Sequence, residues 1–213
     1  MNREPYFLAV ASHKGGTGRT TTALALAWLW GAQGRRVALL DADPIQAAAL
    51  VAARADGCPW AGVRLLRGLP AADGALADCD VVVADCPSLT ESAAAPVLRR
   101  ADGIVLTCLA EVYCVRTLPV AVRAIAAARQ DNPRLELLGV LPGVYRADPL
   151  SAVLLGELRA GQRDLLLEPP IPFHTAVRDW AMTPGGPLPA GPAADAFARV
   201  AAVLSPLTAC AAA

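Results

Sequence analysis

The sequence predicts an α/β fold: a mostly parallel sheet with helices on both faces, in three layers. Two observations carry this. Short apolar runs alternate with helix-length segments along the chain, the pattern of strand–helix–strand crossovers. Apolar residues make up 55% of the 213 residues and aromatics only 5%. The core is therefore built from Ala, Val and Leu, which suits helices packed on a buried parallel sheet. The length suits one domain with a full core. No internal repeat and no long linker divides the chain, so residues 1–213 are expected to form a single domain.

Each element has a local reason. Residues 6–12 form a short run of strand formers that ends in a Gly-rich turn. Residues 20–33 read as a helix closed by Gly34. Its body, residues 23–30, is apolar on every side, the mark of a helix inside a larger core. Residues 37–40 form a second strand, ending in Asp41-Ala42-Asp43-Pro44, and residues 45–55 a helix. Strands follow at 63–66 and at 80–84, the latter ending in Asp85-Cys86-Pro87. Then come a helix at 91–100, a strand at 103–108, a helix at 115–129, a strand at 135–141 and a helix at 149–160. Residues 164–167 read as a short strand or sheet edge, and 174–181 as a short helix. The stretch 183–192, rich in Gly and Pro, is a loop before a closing helix at 192–204. Trp28 and Trp30 are expected in the core, Trp60 and Trp180 partly exposed or at an interface.

Composition removes several function classes. The formal net charge is zero, so no global field draws the chain to nucleic acid. The six cysteines form no C-x-x-C pair and no His cluster accompanies them, which argues against zinc and iron–sulfur sites. The N-terminus shows no secretory signal, so free buried thiols are expected rather than a disulfide framework. No stretch of about 18 apolar residues occurs, so no spanning helix and no membrane partner are expected. The closing helix carries one basic residue, Arg199, and Pro206 interrupts it, unlike an interfacial helix with a basic face. The expected location is the cytoplasm.

The chemistry concentrates in Lys14-Gly15-Gly16-Thr17-Gly18-Arg19-Thr20-Thr21, set between a strand and a helix. Glycines let the backbone turn tightly and aim its N–H groups inward. The positive end of the following helix points at the same place, making a cradle for a triphosphate. Thr20 stands where a hydroxyl would reach Mg²⁺. Asp43 and Asp85 follow two separate strands, and strand ends are where ligands sit in open α/β sheets. Asp41 reads equally as a helix cap. Lys14 is the only lysine among 19 basic residues, which suggests that a compact ammonium is needed there. Arg19 stands where such loops normally carry lysine, and its planar fork is not equivalent to an ammonium. Two readings stay open: a tolerated exchange, or a protein that binds nucleotide without useful hydrolysis. His13 reads as a packing residue, and His174 receives no role.

The loop K-G-G-x-G-[K/R]-T-T resembles the deviant Walker A motif of the ParA/MinD family of P-loop NTPases. Asp41-Ala42-Asp43-Pro44 resembles that family's second motif, and residues 81–87 its Walker B strand with the D-x-P turn. Residues 106–118 and 169–173 resemble later segments more loosely, so the likeness runs over nearly the whole chain. It is similar above all to the short ParA proteins that segregate plasmids or position cargo. The resemblance implies roles. Lys14 would reach across an ATP-sandwich homodimer to the partner's phosphates. Gly15, Gly16, Thr17, Gly18, Arg19, Thr20 and Thr21 would wrap the phosphates. Thr20 would hold Mg²⁺, Asp85 would hold it through water, and Asp43 would orient the attacking water.

It also implies an adaptor protein, ParB-like or cargo-bound, and non-specific DNA as partners. Arg146, Arg159, Arg163, Arg178 and Arg199 are the DNA candidates, through phosphate contacts. The family often carries a basic residue shortly after the matching Ile-Pro step; here the stretch 171–176 holds no Lys or Arg and the first Arg is Arg178. The leading expectation is thus a ParA-like ATPase. The alternatives are a hydrolysis-impaired regulatory module and a biosynthetic P-loop enzyme such as an amide ligase.

Overall fold

The computed structural model describes residues 4–43, 60–71, 73–182 and 186–209. The strands are β1 (Tyr6–Ala11), β2 (Val37–Asp41), β3 (Val63–Arg67), β4 (Val81–Asp85), β5 (Gly103–Leu109) and β6 (Glu136–Gly143). The helices are α1 (Arg19–Ala32), α2 (Ala94–Arg100), α3 (Val112–Asp131), α4 (Pro149–Gly161), α5 (Thr175–Met182) and α6 (Pro192–Ala209). The six strands form one sheet in the order β3-β2-β4-β1-β5-β6, and every pairing is parallel.

Alternating side chains on each strand feed two separate cores. From β1, Tyr6, Leu8 and Val10 enter the layer that holds α1, α5 and α6. Phe7, Ala9 and Ala11 enter the layer that holds α2, α3 and Leu158 of α4. Both faces being covered, β1, β2, β4 and β5 are buried along their whole length, while the edge strands β3 and β6 carry exposed residues such as Arg64 and Glu136. The body of α1 is buried from Thr22 to Ala27 and at Trp30. The helix ends at Gly34, whose φ of 85° permits a left-handed turn in which its N–H bonds the Gly31 carbonyl.

The structure departs from the sequence reading at several places. Helix α2 starts at Ala94 rather than residue 91, because 91–93 are held as turns by bonds such as Ala94 N–H to Glu91 O. Helix α3 starts three residues earlier than expected, on exposed Val112 and Tyr113, and extends to Asp131. Of the two readings of residues 164–167, the sheet edge is the one found: they contribute a single bridge, Val140 to Leu166, and no strand. Trp60 and Trp180 are buried, not partly exposed: their rings stack at 5.4 Å and both indole N–H groups donate to the Gly186 carbonyl. Trp30 is buried as expected, and Trp28 packs half-buried against the same core. Cys79, Cys86, Cys108 and Cys114 are buried free thiols. The expected helix at 45–55, Cys58 and Cys210 lie outside the described residues. Among the described residues no helix is long and apolar enough to cross a membrane, and no His/Cys/Asp/Glu cluster could hold a metal.

Candidate functional site

The sheet brings the strand ends together. β1 is central, flanked by β4 and β5, and its C-terminal end runs straight into the Gly-rich loop. Register places Asp41 of β2 beside Asp85 of β4, and Asp85 beside Val10 of β1. Loop, Asp43 and Asp85 therefore share one edge of the fold, as ligand sites in open α/β sheets do.

The loop is shaped by two close approaches. Gly18 sits at φ 84° immediately before α1, a left-handed conformation that opens the helix N-terminus toward the cleft. Gly143, at the end of β6, lies so close to the Thr17 carbonyl oxygen that any Cβ there would collide with it. Next to Gly143, Val144 holds φ 52°, an uncommon and strained conformation for a β-branched residue. Its Cγ2 would lie 3.3 Å from a Cβ placed on Gly18. Thr17 is buried and its hydroxyl is engaged within the protein: it bonds Thr107 at 2.8 Å, and Thr107 donates to the Ala11 carbonyl. The Ser12 hydroxyl donates to the Lys14 carbonyl at 2.9 Å and fixes the start of the loop.

The cleft beside the loop measures about 450 Å³. Gly15, Gly16, Gly18, Arg19, Thr20 and Thr21 line one side. The opposite wall comes from the 171–174 segment and α5, including Phe173 and the exposed Met182. The 171–174 segment is tied to the loop's support by the Tyr145–Pro172 bridge and by Arg146 stacked 3.9 Å over Phe173. The donor set fits a phosphorylated ligand: backbone N–H groups at a helix start, a basic side chain and two hydroxyls.

Inside the cleft, Arg19 is bound to both candidate carboxylates. Its Nε donates to Asp85 Oδ1 at 3.0 Å, and its Nη2 is in close contact with Asp43 Oδ2. Thr20 Oγ1 donates to the other Asp85 oxygen at 2.7 Å. Burial pushes the Asp85 carboxyl up to about 6, against the opposing pull of Arg19 and Thr20. The sequence singled out Arg19, but nothing local indicated that its fork would span two strand ends.

Lys14 is elsewhere. It does not line the cleft; its Nζ donates to Glu111 Oε2 at 3.1 Å and lies 5.4 Å from the centre of the Tyr113 ring. Both neighbours stand at the start of α3 and both are exposed. Neither was flagged by the sequence reading. His13 packs against α3 through Thr117, and burial with Lys14 alongside lowers its pKa from the usual imidazole range. Of the DNA candidates, Arg159 pairs with Glu168, Arg178 with Asp179, and Arg146 is stacked on Phe173. Arg163 and Arg199 are exposed.

A family model described as the CobQ/CobB/MinD/ParA nucleotide binding domain matches residues 8–184. The chromosome-partitioning ATPase Soj of Thermus thermophilus is 28% identical over 91% of this chain and 93% of its own length. The chromosome partitioning protein ParA of Caulobacter vibrioides is 26% identical over 81% of this chain and 82% of its own. Cobyrinic acid a,c-diamide synthase from Mycobacterium smegmatis, solved with an ATP analog and magnesium, superposes with a TM-score of 0.70. That match has 26% identity and covers 94% of each chain.

Proposed function

The chain belongs to the CobQ/CobB/MinD/ParA family of nucleotide-binding domains with the P-loop NTPase fold, and we propose that it works as a ParA-like ATP switch. In this reading ATP with Mg²⁺ builds a homodimer, an adaptor protein triggers hydrolysis, and the released monomers reset a system that partitions or positions cargo. The observation that carries it is the placement of the only lysine. Lys14 begins the phosphate loop yet leaves its own cleft, joining exposed Glu111 and Tyr113 on the rim. A cation there serves a second copy's phosphates better than its own.

Within one chain, the loop N–H groups of 15–21 and the start of α1 would hold the phosphates. Thr20 and Asp85 would hold Mg²⁺, Asp85 through water, and Asp43 would orient the attacking water. Bound Mg²⁺ would supply neutralising charge for the transferred phosphoryl group. ATP can shift the balance between monomer and dimer only by binding the two states unequally, so this reading requires tighter ATP binding in the dimer. The diamide synthase likeness keeps a biosynthetic reading within the same fold. The two partitioning relatives, which match most of the chain, favour the switch.

The second reading, a regulatory module without useful turnover, is favoured by one contact: Arg19 engages Asp43, the residue assigned to the water. Steady-state ATP hydrolysis with Mg²⁺, with and without duplex DNA, separates the two. The switch predicts turnover by wild type and a loss on the order of 10²-fold or more in Asp43→Ala. Silence of wild type with activity in Arg19→Lys would establish the regulatory module instead. Stimulation by DNA that disappears at high salt would add the non-specific DNA contact.

A further inference from the structure

Arg19 makes a contact that lysine could not make in the same form. A guanidinium carries several donors in one plane, and here two of its nitrogens reach carboxylates that follow different strands. The Arg19 side chain is only 15% exposed, that of Asp43 9% and that of Asp85 0%. Thr20 occupies the remaining oxygen of Asp85. The carboxylates and hydroxyl assigned to metal and water are thus already satisfied by the protein's own groups. A divalent cation arriving at this place would meet a fixed positive charge at contact distance, in a setting where water screens little.

We propose that Arg19 is a built-in stand-in for the divalent cation, locking the metal site until a polyphosphate draws the guanidinium away. This rests on the reading of the cleft as a Mg²⁺–nucleotide site and adds how that site is regulated. A polyphosphate in the loop offers Arg19 a denser negative charge than Asp43 and Asp85 together. Its fork is suited to phosphate oxygens as it is to carboxylates. Once it turns, Asp85 and Thr20 are open to the metal and Asp43 to water. Metal entry is thereby made conditional on phosphate, and Asp43 is held out of action in the empty protein. A lysine at position 19 would present its donors from a single nitrogen instead of a two-nitrogen fork and would leave the lock partial.

The test uses Mn²⁺ as the probe and reads binding, by the loss of the free-ion signal in electron paramagnetic resonance. Nucleotide-free wild type should bind Mn²⁺ at this site at least roughly tenfold more weakly than nucleotide-free Arg19→Gln. Arg19→Lys, which keeps a charge, should fall between them and covers the case in which Arg19→Gln fails to fold. Addition of a slowly hydrolysed ATP analogue should bring wild type to one tightly bound Mn²⁺ per chain. Equal Mn²⁺ affinity of nucleotide-free wild type and the folded variants would overturn the lock. If wild type still took up Mn²⁺ with the analogue, the nucleotide-site reading would survive that loss. Failure of wild type to bind the analogue at all would overturn both.

Discussion

Two cations five positions apart in one loop live in different physical regimes. Arg19 is nearly enclosed and touches Asp43 and Asp85. Lys14 has a side chain 35% exposed and touches Glu111, itself 59% exposed. The buried group is bound by charges that have nowhere else to go, so removing one partner leaves uncompensated charge. The rim group exchanges its partner for water at little cost. The same sequence motif therefore holds one cation whose loss should be felt in folding and one whose loss should be felt in assembly.

The largest effect expected from this contrast is that of Arg19→Ala. It leaves Asp43 and the buried Asp85 without the guanidinium and should cost about 3 kcal/mol near pH 8, read by urea unfolding of the nucleotide-free protein. The loss should shrink toward pH 5. Asp85 has a folded pKa raised above its unfolded value, to about 6. Its contribution to stability is complete below pH 4 and disappears as pH rises through about 6. Wild-type stability should therefore decline over that window, and Asp85→Asn should flatten the decline. An Arg19→Ala penalty independent of pH would separate Arg19 from Asp85.

Next in size is Gly143→Ala. The new methyl meets the Thr17 carbonyl, which can give way only by moving the loop. Overpacking of this kind costs roughly 1–3 kcal/mol, and ATP-analogue affinity should fall with it. Smaller and of opposite sign is Gly156→Ala in α4, where a Cβ meets nothing within 4 Å. Helix propensity alone should add about 0.5–1 kcal/mol there, read as a higher melting temperature. Smallest is Glu111→Ala, which should leave the unfolding midpoint unchanged in thermal scans. A marked drop would mean that the rim pair is structural.

Much of the fold was legible because its signals are local. The apolar runs of β1, β2 and β4 mark strands buried on both faces, and Gly34 marks the end of α1. The loop and its two carboxylates were legible for the same reason. What escaped depends on contacts between distant segments. Thr107 and Glu111 reach the loop only because β5 pairs with β1. Gly143 and Val144 reach it from the end of β6, with no local pattern to announce a left-handed valine. Trp60 and Trp180 look exposable until one carbonyl, at Gly186, is seen to accept from both. The first turn of α3 was missed because Val112 and Tyr113 are apolar and yet exposed, which breaks the periodicity that marks a buried helix face.

The central claim is that the loop's lysine acts outside its own chain, and sedimentation of wild type and Lys14→Ala with Mg²⁺ and a slowly hydrolysed ATP analogue tests it directly. Wild type should pass from monomer to dimer, while Lys14→Ala should bind the analogue, keep its unfolding midpoint and remain monomeric. A wild type that stays monomeric at saturating analogue, or a Lys14→Ala variant that dimerises equally well, would contradict the account.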